Sequence, residues 1–307
     1  MVDAIPRTAS GKIIRRDVWR LLRSVATDMF VDRPDGARIH VRRRGRGPVL
    51  VLLHATLSNA RELDPLAIEL SEVRTVLAID RRSAGGSVMP PDDILRPIDV
   101  RLHIDDILAV LDSVAPGEQV LVVGHSYGGC VGLEFAARHP ERVAGVFLFE
   151  PPYLAVLPGT AAEAVALGQR ITAIAEHDGL GAAALAFLET VNGPGISRRL
   201  PPGVLAQFER EGRSAVADSA LAGFEPAGLG AVRVTVHIGL GDRSRGPYAA
   251  VAGELRRHIA SLETHHFPTL GHGGPISQPN LVATAILTIA DATDTLTAPT
   301  PAPGGTT

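Results

Sequence analysis

The sequence predicts an α/β fold: a mostly parallel sheet with helices on both faces and a helical cap inserted late in the chain. Three features point to it. Short, continuous apolar runs recur at VLVLLH (49–54), RTVLAID (74–80), QVLVVGHS (119–126) and RVAGVFLFE (142–150), as expected of strands buried on both faces. Helical patterns separate these runs, with connections short enough to return each helix onto one shared sheet. The rhythm then breaks over residues 151–230, which are rich in Ala, Gly and Pro and carry no clear strand pattern.

Taken in order, Asp35-Gly36 is a hairpin-turn dipeptide, and its flanks, Phe30-Val31 and Ile39-His40-Val41, suit a first antiparallel pair. A helix is expected over 61–72, and RRSAGGSVMPPDD (81–93) reads as loop. Over 103–114, Ile104, Ile107, Leu108 and Leu111 fall at helical spacing, with Asp105 and Asp106 expected on the solvated face. A helix over 128–140 follows the third run. Inside the insertion, helices are expected at 160–177, 180–191 and 202–222. A strand (232–239), a helix (247–260), a strand (261–268) and a helix (280–290) complete the domain. Residues 291–307, DATDTLTAPTPAPGGTT, lack core-forming side chains and are expected to be disordered.

Composition narrows the function classes. The chain has 307 residues, 45% of them hydrophobic and 21% charged, enough for a large core. A net charge of −3 gives no general attraction to nucleic acid. No apolar run is long enough for a membrane span and no secretory-signal pattern is present, so a cytoplasmic protein is expected. The single cysteine, Cys130, leaves no internal disulfide and no cysteine-based zinc cluster. No His, Asp and Glu set has ligand spacing in the sequence, so neither metal nor cofactor is expected.

The chemistry concentrates in GHSYG (124–128), a G-x-S-x-G pattern between an apolar strand and a helix. A serine hydroxyl is a weak nucleophile unless it is presented to a base clear of its neighbours. A sharp strand-to-helix turn at Ser126 does this, with Gly124 and Gly128 giving the room, and the Tyr127 N–H can stabilise an oxyanion.

With these motifs in hand, residues 28–290 resemble the α/β-hydrolase superfamily. LLHATLS (52–58) resembles its segment after the third strand, and AIDRRSAGGS (78–87) its D-x-R-G-x-G-x-S loop. FLFEPP (147–152) resembles the strand end that leads into the cap, and TLGHGGPISQPN (269–280) the histidine loop. The resemblance implies Ser126 as nucleophile and His272 as base. Asp242 closes the strand VRVTVHIG-LGD and is the preferred acid, in the family order Ser126, Asp242, His272. Glu150, at the end of the preceding strand, is the competing acid. His265 and His266 are rivals to His272 by proximity, but fall inside the last strand. By correspondence Thr56 supplies the second oxyanion amide, with its hydroxyl as an additional donor. Ala55 replaces the usual glycine beside it, while His54 and His125 read as packed, hydrogen-bonded residues.

Apolar residues of the insertion, among them Leu154, Leu167, Phe187, Leu188 and Phe224, are expected mostly to pack the cap, with a minority lining a pocket for acyl or alicyclic groups. The function so implied is a serine hydrolase acting on a small-molecule carboxylic ester or thioester through an acyl-enzyme. Alternatives are a carbon–carbon bond hydrolase or perhydrolase with the same triad, or a non-catalytic scaffold that binds a ligand or partner. Oligomeric state does not follow from the sequence.

One motif stands apart. PRTASGKIIRR (6–16), within residues 3–24, resembles the C-terminal tail of acyl-adenylate-forming ligases, whose S-G-K lysine maps onto Lys12. The phosphate-binding loop and nucleotide domain of those ligases are missing. Residues 1–27 are therefore expected to be a basic amphipathic extension without catalytic role, with Ile14, Val18, Leu21, Leu22 and Val25 on one face.

Overall fold

The computed structural model describes residues 25–219 and 223–297; the ligase-like segment with Lys12 lies outside them. Strands β1 (Thr27–Asp32) and β2 (Arg38–Arg44) form the hairpin expected around Gly36, whose φ of 87° suits glycine. Next come β3 (Val49–Leu53), helix α1 (Asp64–Leu70), β4 (Thr75–Ile79), α2 (Val100–Val114), β5 (Val120–His125), α3 (Tyr127–Arg138) and β6 (Val143–Phe149). Helices α4 (Thr160–Asp178), α5 (Leu180–Asn192), α6 (Pro202–Arg210) and α7 (Gly212–Ala217) make up the insertion. The chain then returns through β7 (Val236–Gly241), α8 (Tyr248–Leu255), β8 (Leu262–Phe267), a short α9 (Gly274–Ser277) and α10 (Pro279–Thr297).

The eight strands lie in the order β1-β2-β4-β3-β5-β6-β7-β8. From β4 to β8 neighbouring strands are parallel, while β1–β2 and β2–β4 are antiparallel. Alternation along β3 sends Val49, Val51 and Leu53 into one core and Leu50 and Leu52 into the other. The first core includes Ile104 and Leu111 of α2, Val131 of α3 and Val251 of α8. The second includes Leu66 of α1 and Val282 and Ile286 of α10. A third cluster, with Ile171, Ala183, Leu188 and Val216, belongs to the cap helices and receives Leu57 from the core.

Several boundaries differ from expectation, each for a local reason. The stretch expected as one helix (202–222) breaks at Glu211, because Gly212 packs against α5: a Cβ there would lie 2.1 Å from the Leu180 carbonyl oxygen. The seventh strand starts four residues later than expected, after a 3-10 turn over Pro226–Ala231. Residues 291–297, expected to be disordered, continue α10, since no helix breaker intervenes before Pro299.

Asp105 is exposed as expected, but Asp106 is buried. It accepts from Arg82 at 2.7 and 2.8 Å and from Arg33 at 3.0 Å. Two arginines on facing loops draw in a carboxylate that helical patterning assigned to solvent. Among the described residues no helix is long and apolar enough to cross a membrane.

Candidate active site

The parallel strands end together at one edge of the sheet, where crevices of open α/β sheets gather ligands. There the turn from β5 to α3 holds Ser126 at φ 53°, ψ −124°. Its N–H donates to the Phe149 carbonyl at 2.9 Å, and its carbonyl accepts from the Gly129 N–H at 2.8 Å. The flanking glycines are a steric requirement. A Cβ on Gly124 would lie 2.5 Å from the Gly128 oxygen, and one on Gly128 2.5 Å from the Leu53 oxygen. Among the described residues three non-glycines have positive φ: Ser126, Leu57 (57°) and Glu150 (49°). They follow the carboxyl ends of β5, β3 and β6, so the unfavourable backbone is concentrated at this edge.

His272 lies in the loop after β8, and its Nδ1 is 2.7 Å from Glu150 Oε2. A carboxylate only accepts, so the Nδ1 carries the proton and Nε2 keeps its lone pair. Glu150 is 1% exposed and also accepts from the Gly241 N–H at 2.7 Å and the Ser244 hydroxyl at 2.8 Å. These partners offset the cost of burying it. Tyr248, at the start of α8, stacks on the His272 ring with centroids 4.6 Å apart and planes at 5°.

The carboxylate beside His272 is thus Glu150, the competing acid of the sequence, and not the preferred Asp242. That residue pairs instead with His266 Nδ1 at 3.0 Å, and both side chains are exposed. Glu150 reaches His272 from the end of β6, whereas Asp242, at the end of β7, is turned to the exposed His266. Of the two rivals to His272, His266 faces Asp242, while His265 turns to the other face of β8 and meets His237.

The Thr56 segment approaches Ser126 from the end of β3, and the Tyr127 N–H, in the first turn of α3, has no intrahelical acceptor available. The Thr56 hydroxyl was expected as an extra oxyanion donor. It donates instead to Asp218 Oδ2 at 2.7 Å. Asp218, at the end of α7, also accepts from both terminal nitrogens of Arg81, at 2.6 and 2.7 Å, with both side chains 1% exposed. Burial opposes the Arg81 charge, but Asp218 more than offsets this and the guanidinium pKa is raised. The Leu57 N–H donates to Ser214 of the cap at 2.8 Å, and its side chain enters the cap cluster. The loop bearing Thr56 is thus held by the cap. Asp218 offered no signal in the sequence, since the pair spans 137 residues.

His125 Nε2–H donates to the His272 carbonyl at 2.7 Å, and burial pushes its pKa down to about 3, since a charge on His125 would lie beside the His272 ring. His54 donates from Nδ1 to the Ala55 carbonyl at 2.7 Å and accepts the Arg81 N–H at 3.0 Å. Burial and the Arg81 charge push His54 down to about 3 as well. Both are neutral struts.

Ser126, His272, Thr56 and Tyr127 all line one cavity of about 370 Å³, walled mainly by apolar cap residues such as Leu167, Phe187, Ile196 and Phe208. The charged side chains on its wall are Glu62 and Asp218, with no Arg or Lys among the described lining residues.

A model of the Alpha/beta hydrolase family matches residues 50–285. The chain belongs to the α/β-hydrolase family. Among curated relatives of this family member, a 2-(acetamidomethylene)succinate hydrolase from Mesorhizobium japonicum is 34% identical over 134 residues, 42% of this chain and 46% of that one. A homoserine O-succinyltransferase from Xanthomonas campestris is 38% identical over 129 residues, 40% of this chain and 31% of the other. The matched regions thus span less than half of these relatives. A hydrolase from Pseudomonas aeruginosa shares the fold with a TM-score of 0.72 at 22% identity, covering 86% of this chain and 98% of that one.

Proposed function

We propose that this α/β-hydrolase is a serine hydrolase cleaving carboxylic esters or thioesters of apolar acyl groups through an acyl-enzyme. The observation that carries the reading is the 2.7 Å Glu150–His272 pair at the rim of the cavity that holds the strained Ser126. With Nδ1 engaged by Glu150, His272 Nε2 takes the Ser126 proton as Oγ attacks the acyl carbon. The Thr56 and Tyr127 amides hold the oxyanion, a role worth about 3–4 kcal/mol per donor in well-formed sites. His272 then protonates the leaving alcohol or thiol, and next takes a proton from the water that releases the acid. Glu150, fixed by Gly241 and Ser244, keeps the ring in one tautomer and balances its positive charge. Asp242 has no part in these steps.

The apolar wall and its lack of cations favour a neutral acyl chain. A succinate-type dicarboxylate, as the name of the Mesorhizobium relative indicates, would meet Glu62 on a wall without Arg or Lys among the described lining residues. A fluorophosphonate probe tests the nucleophile: it should label native protein at Ser126 and fail to label Ser126→Ala. A panel of esters, thioesters and an activated carbon–carbon substrate then tests the bond cleaved. Turnover confined to the carbon–carbon substrate would overturn the ester assignment, and absent labelling would overturn the nucleophile.

A further inference from the structure

Strands β7 and β8 run parallel at the far edge of the sheet, with His237 opposite Glu263 and Gly239 opposite His265. Cross-strand partners share a face, and so do residues two apart on one strand. His237, Glu263 and His265 therefore project from the same side. His237 Nδ1 lies 3.0 Å from His265 Nε2 and 3.5 Å from Glu263 Oε2, and one ligand atom from each residue falls within 4.8 Å of the others. Tetrahedral ligands about a zinc-type ion, bound at about 2.0–2.1 Å, stand roughly 3.3 Å apart, so two of the three spacings already match. The third needs only a swing of Glu263, whose side chain is 64% exposed, over the 15% exposed His237.

We infer that His237, Glu263 and His265 form a site for one first-row transition dication of zinc type. Two imidazoles and one carboxylate suit such an ion and suit magnesium or calcium poorly. The exposed side leaves a fourth position for water. The imidazole pair now shares one proton across 3.0 Å, and the ion takes that proton's place between the rings.

The site stands away from the proposed chemistry. His237 precedes Gly241, whose amide holds Glu150, by four residues, or about 13 Å along a strand. A bound ion would fasten the edge strand β8, which leads into the His272 loop, onto β7. The sequence gives little sign of this set because 26 residues separate His237 from Glu263; only the alternation Glu263-Thr264-His265 hints at a shared strand face.

The test uses the full chain without an affinity tag, stripped by chelator and then freed of it, and needs no substrate. Calorimetric titration with ZnCl2 should show one saturable equivalent accompanied by a rise in Tm, and MgCl2 should show neither. His265→Gln should weaken zinc binding at least tenfold and abolish the Tm rise. Glu263→Gln, at the exposed rim where folding is not at risk, should weaken it about tenfold. His266→Gln, on the opposite face, should leave it unchanged. Absence of saturable zinc binding, or binding equal in native protein and in Glu263→Gln and His265→Gln, would overturn the inference.

Discussion

Two carboxylate–histidine pairs stand at the carboxyl edge of the sheet, one strand apart. Glu150 and His272 meet at 2.7 Å with the acid buried, anchored by a backbone amide and a serine hydroxyl. Asp242 and His266 meet at 3.0 Å, with side chains 44% and 59% exposed. Their chemistry is nearly the same; what differs is surroundings. Only the first pair reaches the cavity that holds Ser126. An exposed pair contributes about 0–1 kcal/mol, whereas a buried acid with three partners fixes the ring it touches. Burial and anchoring, rather than residue type, separate the pair proposed to serve Ser126 from a surface contact.

The largest expected effect comes from Glu150→Gln. Keeping shape but removing charge should lower kcat on the best substrate of the panel by about 10³–10⁴-fold, as wrong tautomers do in such triads. Circular dichroism should show the fold intact. Next is Asp218→Ala, which leaves Arg81 buried and unpaired. Urea unfolding should report a loss of about 3–5 kcal/mol. Because Thr56 also loses its anchor, kcat should fall more than KM changes.

A third pair, His40–Asp80 at 2.6 Å, is buried away from the cavity and sharpens the contrast through pH. The hydrogen bond that the His40 ring donates to Asp80, opposed by burial, raises the His40 pKa above 6.5. Its contribution is therefore complete below the unfolded value and is lost as pH rises through the folded one. His54 and His125, pushed down to about 3, act oppositely: their contribution holds above 6.5 and is lost as pH falls toward 3. The urea midpoint should thus fall on both sides of about pH 6.5, and His40→Gln should flatten only the alkaline side. Smallest is Asp242→Asn, which should change kcat less than about twofold and stability by less than about 1 kcal/mol.

How much of this the sequence carries depends on the range of each interaction. Ser126 is legible because its signal is local: two glycines, an apolar strand before it and a helix after. His272 is legible from its glycine-rich loop. The proposed acid is not, because Glu150 and Asp242 both follow strand ends and only the tertiary placement of their side chains, on His272 and on His266, separates them. Asp218 and the His237–Glu263–His265 set are hidden for the same reason, being assembled across 137 and 26 residues or more. Asp106 misleads because helical spacing shows which face it occupies but not that Arg82 and Arg33 wait there.

In the proposed mechanism Glu150, and not Asp242, stands behind His272, the proposed base. The most direct measurement is the second-order rate of fluorophosphonate labelling in Glu150→Gln and Asp242→Asn, side by side with native protein, since it requires no knowledge of the natural substrate. The expected result is a fall of at least about 100-fold in Glu150→Gln and an unchanged rate in Asp242→Asn. Equal rates in the two variants, or the larger loss in Asp242→Asn, would contradict it.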